Sequence, residues 1–150
     1  MKPDLEQFLT ERLDEITAEV VGEITTRVPA YTHVRASAVL TLVRDALTGY
    51  LGVRDRGAVL DSFRDLGASE AHAGQEIHHF ESALRAGARV VVRRTANAAA
   101  RIYPPTTEFI TVMETAFTAE EEIVDAAVDG HCRAMRPEMD RRLHALLSEN

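Results

Sequence analysis

The chain has 150 residues, 45% of them hydrophobic and 27% charged, with one cysteine and a net charge of −7. That length suits one hydrophobic core, and the lone Cys132 excludes a disulfide framework or a cysteine-rich zinc module. The acidic balance, with a pI of about 5.3, argues against direct nucleic-acid contact; no apolar run nears the roughly 20 residues of a membrane helix, and the polar, acidic start MKPDLEQFLTERLDE is not a signal peptide.

Aromatic residues make up only 5%, and helical periodicity recurs in every segment. Leu5, Phe8, Leu9, Ile16, Val20 and Ile24 place one apolar stripe on a first helix. Pro3 suits its first turn, Asp4, Glu6 and Glu11 suit its positive end, and Pro29 stops it. A second helix follows Ala30-Tyr31-Thr32. Its inward residues are Val39, Leu40, Val43, Ala46, Leu47, Tyr50 and Leu51, and it frays at Gly49 and Gly52 into a loop, Arg54-Asp55-Arg56-Gly57. A third carries Val59, Leu60, Phe63 and Leu66 and ends at Gly74.

The fourth helix runs from near Gln75 to about Ile102, where Pro104-Pro105 stops it. Ile77, Phe80, Leu84, Ala88, Val91, Ala98 and Ile102 define its inner face. Thr106 or Thr107 then caps a segment with Phe109, Ile110, Met113, Ala116, Phe117, Ile123, Val124, Ala127 and Val128. Thr118 and Glu121 resemble a capping box, which predicts a break or kink there. Pro137 predicts a second break, before a short amphipathic helix through Met139, Leu143, Leu146 and Leu147. The expected fold is all-α, one domain of five or six helices, bundle-like, with a globin-like arrangement as a variant.

Few constellations carry chemistry. Glu76 and His79 have the Glu-x-x-His spacing of di-iron bundles, but none of His33, His72, His131 and His144 supplies the second pair such a site needs. His72 and His79 flank Gly74, at a turn where surface or capping roles are expected. His131-Cys132 lacks metal-ligand spacing, and Cys132 reads as small and at least half-buried. No Gly-x-Ser-x-Gly elbow and no glycine-rich phosphate loop occurs, and no nucleophile, base and orienter can be assembled, so no enzyme is expected. Arg85, Arg89 and Arg93 form a basic stripe, either a solvated face with an ion pair to Glu81 or a docking face for an acidic helix. Glu120-Glu121-Glu122 with Asp125 reads as a solvated face at a helix start. Gly87 costs its helix about 1 kcal/mol relative to alanine. Close helix approach is the expected reason, and a pocket beside Phe80 and Leu84 is the alternative.

Phe63-Arg64-Asp65-Leu66-Gly67, followed by Gly74-Gln75-Glu76-Ile77-His78-His79-Phe80-Glu81-Ser82-Ala83-Leu84-Arg85-Ala86-Gly87-Ala88-Arg89, resembles the N-terminal helical domain of PucR-like bacterial transcriptional regulators. That domain type is also associated with RsbRD-type co-antagonists of the stressosome. Val28-Pro29-Ala30-Tyr31 resembles the family's Ile-Pro-x-Tyr turn, and the likeness spans about residues 5–130. Gln75-Glu76 replaces a Pro-Leu start common among relatives. An arginine-dominated basic set, with Lys2 as the one lysine, fits a high-GC bacterial source.

The resemblance implies a cytoplasmic signal-input or dimerisation domain that acts by helix association. Residues 1–136 would form it, and 137–150 would be a C-terminal helix or the start of a linker to a further module. The chain then reads as an N-terminal fragment or a stand-alone relative. A homodimer is expected, through Phe109, Met113, Phe117, Ile123 and Val124, which exceed what one stripe in a small bundle needs. A protein partner or small-molecule effector is compatible with this role, and no cofactor is called for. The alternative is a small-molecule or haem/metal sensor, for which His78 or His79 is the nearest ligand candidate.

Overall fold

The computed structural model describes residues 3–32, 34–52, 55–104 and 106–148; His33, Arg54 and Pro105, named above, lie outside the described residues. The described residues form six α-helices and no strand: α1 (Pro3–Thr10), α2 (Leu13–Arg27), α3 (Ala36–Leu51), α4 (Arg56–His72), α5 (Ile77–Ile102) and α6 (Thr107–Ser148). A single 3-10 turn, Pro29–Tyr31, joins α2 to the approach of α3.

The first apolar stripe is divided between α1 and α2. The Arg12 amide bonds the Leu9 carbonyl at 3.0 Å. Its guanidinium donates to the Phe8 carbonyl at 2.9 Å and lies 3.6 Å over the Phe8 ring centre. An orphan carbonyl at the end of α1 is thereby satisfied, and the chain turns without glycine or proline. The loop expected at Arg56-Gly57 is instead the first turn of α4. The Asp55 carboxylate caps it, accepting from the Gly57 amide at 2.9 Å. Gly74 has φ +84°, a left-handed conformation that glycine adopts without steric cost, just past the end of α4.

Neither break expected after residue 107 occurs. α6 is one helix of 42 residues, about 63 Å long at 1.5 Å per residue. Thr118 is exposed and its segment stays helical, because Val112 and Val124 on either side are buried against neighbouring helices. Pro137 leaves the Arg133 carbonyl without its helical donor, but both residues are exposed, so water can satisfy it. Cys132 is exposed as well, which corrects its expected burial.

α6 packs along α4 and α5; α2 packs along α5 and α3, and α1 crosses α3 and α5. Leu5, Leu9, Ile16, Val59, Val90, Val112 and Val124 are the largest fully buried side chains, and with Val43 and Leu47 of α3 every α-helix contributes to the core. The α4–α6 contact is the closest. A Cβ on Gly67 would lie 2.8 Å from the His131 nitrogen, and one on Gly130 would lie 2.8 Å from the Arg64 carbonyl carbon. Residues 64–67 of α4 and 127–131 of α6 therefore meet at one close crossing.

Candidate functional site

A cavity of about 510 Å³ opens between α3 on one side and α4, α5 and α6 on the other. That lies within the usual range of small-molecule sites. A closed, dry void of this size would cost on the order of 12 kcal/mol at about 24 cal/mol per Å³, the whole stability of an ordinary domain. Such a space is one that solvent or a ligand fills.

The walls are mostly apolar: Leu42 and Ala46 from α3, Phe63 and Leu66 from α4, Leu84 and Val91 from α5, and Ile123 from α6. Arg35 and Ala38 at the start of α3, with Ser69 and Ala73 at the end of α4, are exposed and form the mouth. Gly87 also lines the cavity while seating α5 on α2. Its Cβ would stand 3.2 Å from Val20 Cγ1 and 3.4 Å from Ile24 Cδ1. Phe80 and the half-buried Leu84 face the same space.

The polar groups at the cavity are few. Tyr31 is buried, and its phenol is paired with the Glu70 carboxylate. Burial first, then the charge and hydrogen bond of Glu70, push the phenol well above its ordinary range. The Tyr50 hydroxyl donates to Glu122 Oε1 at 2.6 Å, and its phenol is raised by burial and by that carboxylate. Thr95 donates to the Val91 carbonyl at 2.8 Å and Thr115 to the Thr111 carbonyl at 3.0 Å. Glu120 lines the wall, half-buried. The run Glu120–Glu122 therefore lies in the middle of α6, not at a helix start, and two of its members turn toward the body.

The histidines play other parts than those considered from sequence. Glu76 caps α5, accepting from the amides of His78 at 3.1 Å and His79 at 3.2 Å. Those bonds, the His78 one foremost, hold its carboxyl below the usual value. His78 and His79 are exposed in the first turn of α5, beside the Glu76 cap. Among the described residues the buried histidine is His131, 4% exposed. It stacks on Phe80 at 5.7 Å between centroids and donates from Nε2 to the Gln75 carbonyl at 2.8 Å, pinning α6 to the α4–α5 turn. Among the described residues no group of three His, Cys, Asp or Glu comes together to hold a metal ion.

The arginine stripe on α5 is divided. Arg85 pairs with Glu81 on the surface at 3.1 Å. Arg93 and its neighbour Arg94 reach Glu19 of α2 at 2.5 and 2.7 Å, with Glu15 3.6 Å from Arg94. With Arg12, Asn97 and Arg101 they line a second, polar cleft of about 370 Å³.

The five residues expected between chains also separate. Val124 is 1% exposed, inside its own chain, which corrects its place in an interface. Phe109 and Ile123 pack partly against the core, and Met113 is half-buried. Phe117 is 56% exposed, as is Ile110 at 57%. Equal or larger exposure lies beyond the body, at Met139, Leu143, Leu146 and Leu147, up to 70% at Leu147. At 100° per residue, Ile110, Phe117, Met139, Leu143 and Leu146 share about a quarter of the helix circumference. Charge changes along the same rod. Glu108, Glu114, Glu120, Glu121, Glu122 and Asp125 are accompanied by no basic residue, whereas in the rest of α6 the four arginines Arg133, Arg136, Arg141 and Arg142 stand beside three acids, Asp129, Glu138 and Asp140.

The described residues thus form six α-helices around one core, with an apolar interhelical cavity. The model of the PucR-like N-terminal domain family matches residues 1–147, and the chain belongs to that family. The match runs through the segment after Pro137 that the sequence set apart as a tail. No curated protein and no solved structure matches the chain. Among the described residues, no helix is long and apolar enough to cross a membrane.

Proposed function

We propose that this is a signal-input domain of a bacterial, cytoplasmic PucR-like regulator and that it works by self-association along α6. The observation that carries the reading is the exposed apolar stripe of α6, lying on a helix whose first half is acidic and whose second half is rich in arginine. A second copy laid antiparallel satisfies both features. It sets Ile110 near Leu147 of the other copy and Glu121 near its Arg136, and the two-fold axis repeats each contact. A parallel pair would oppose acid to acid over residues 108–125, which disfavours it.

Sedimentation at micromolar concentration tests this. A dimer of twice 16.6 kDa is expected, and Leu143→Glu should return it to monomer. Glu121→Arg or Arg136→Glu alone should weaken association, and the two together should restore it. A monomer at every concentration, or a double variant no better than either single, would overturn the reading.

A further inference from the structure

We propose that the interhelical cavity binds a small apolar amine, with its hydrocarbon body among the α3, α5 and α6 walls and its N–H-bearing head toward Glu70 or Glu120. The argument begins with the direction of the hydrogen bonds already made. The hydroxyls of Tyr50, Thr95 and Thr115 spend their protons on Glu122, on Val91 and on Thr111. The Tyr31 phenol is committed to Glu70. Each of these oxygens therefore offers the cavity a lone pair and no donor.

The carboxylates of Glu70 and Glu120 add acceptors and negative charge at half-buried positions, where a charge is less screened than in open water. Among the described lining residues, the side-chain donors left are the Gln75 amide, half-buried like the two glutamates, and Arg35 and Ser69 at the exposed mouth. An anionic or acceptor-only ligand would meet acceptors on every interior wall, whereas an ammonium or amine head finds two carboxylates to receive it. Liquid water takes about 30 Å³ per molecule, so the cavity holds roughly 17 water-sized groups. That is room for a bicyclic or medium-chain body, and too little for a peptide.

The inference stands on the cavity alone. Its readout is binding, and the self-association of α6 is read separately by sedimentation, so either can fail without the other. Calorimetry on the full chain with 1-naphthylmethylamine, 1-ethylnaphthalene and 1-naphthylacetate compares one body with a cationic, a neutral and an anionic head. The amine should bind at least about tenfold more tightly than either analogue, the size of one charge-assisted hydrogen bond. Glu70→Gln, which keeps the side-chain volume, should lower amine affinity several-fold. Ala46→Phe, which fills the cavity from α3, should abolish it. Equal binding of the three compounds, tighter binding of the carboxylate, no binding of the amine, or amine affinity untouched by both variants would each overturn the proposal.

Discussion

Gly67 of α4 and Gly130 of α6 hold the two helices backbone to backbone: a Cβ on either would overlap the main chain of the other helix, at Ala127 and His131 for Gly67 and at Arg64 for Gly130. Backbone atoms cannot rotate away as a side chain can. The helices must therefore part before either glycine gains a methyl group.

Gly67→Ala and Gly130→Ala should each destabilise by roughly 1–3 kcal/mol, against any gain in helix propensity. The double variant should lose less than the sum, because helices already forced apart accept the second methyl more easily. Urea denaturation of the two singles and the double checks this. Full additivity would mean that the two contacts yield independently.

Gly87 differs because its neighbours are the side chains of Val20 and Ile24. Gly87→Ala should be close to neutral, with a propensity gain of about 1 kcal/mol set against a tight contact. Gly87→Leu overpacks the α2–α5 interface and should cost about 1–3 kcal/mol. A stabilised leucine variant in chemical denaturation would place the position on an open face.

Much of the fold is legible because the apolar stripes are. The stop at Pro104 and the turn at Gly74 follow from backbone chemistry that one residue decides. The division between α1 and α2 was not legible, since a side chain, Arg12 capping the Phe8 carbonyl, makes it. The continuity of α6 was not legible for the opposite reason. The local stop signals at Thr118 and Pro137 are overridden, one by packing of Val112 and Val124 and the other by solvent at Arg133. Of the cavity, only Phe80, Leu84 and Gly87 were anticipated. Glu70 and Glu120 look like surface charges until α3, α4 and α6 are placed around them.

Thr17 is 3% exposed, and its hydroxyl has no hydrogen-bond partner among the described residues. Desolvation of that hydroxyl is uncompensated, and valine keeps the branched shape without it. Thr17→Val should therefore stabilise by about 1 kcal/mol. A lower denaturation midpoint would show that the hydroxyl is bonded after all.

Glu19 joins α2 to α5. Its carboxyl is held below the usual 4.5, first by the hydrogen bond from Arg93 and then by Arg94, against desolvation that pushes the other way. A carboxyl depressed in the folded state favours folding above its unfolded value, and that contribution fades as pH falls through the folded value. Glu19→Gln should be less stable than the parent at pH 7, with the difference closing below about pH 4. Denaturation midpoints across that range decide. A gap independent of pH would assign the difference to packing instead of charge.

The last prediction concerns Pro137, which sits where α6 leaves the body. Beyond it, the apolar side chains of Met139, Leu143, Leu146 and Leu147 are all largely exposed, so little packing within one chain holds this stretch helical. Its order depends on helix propensity and on continuity with the packed helix before it, and a proline interrupts that continuity by removing one amide donor. Pro137→Ala restores the bond to the Arg133 carbonyl and should raise the local opening free energy of residues 139–146, by up to about 3 kcal/mol. The stability of the body should not change, because neither residue touches the core. Amide hydrogen exchange in dilute protein, where association is absent, reads the two effects separately. Slower exchange confined to residues 139–146 is expected. Unchanged exchange there would mean that fraying starts at the C-terminal end and that the proline is not the weak point of the rod.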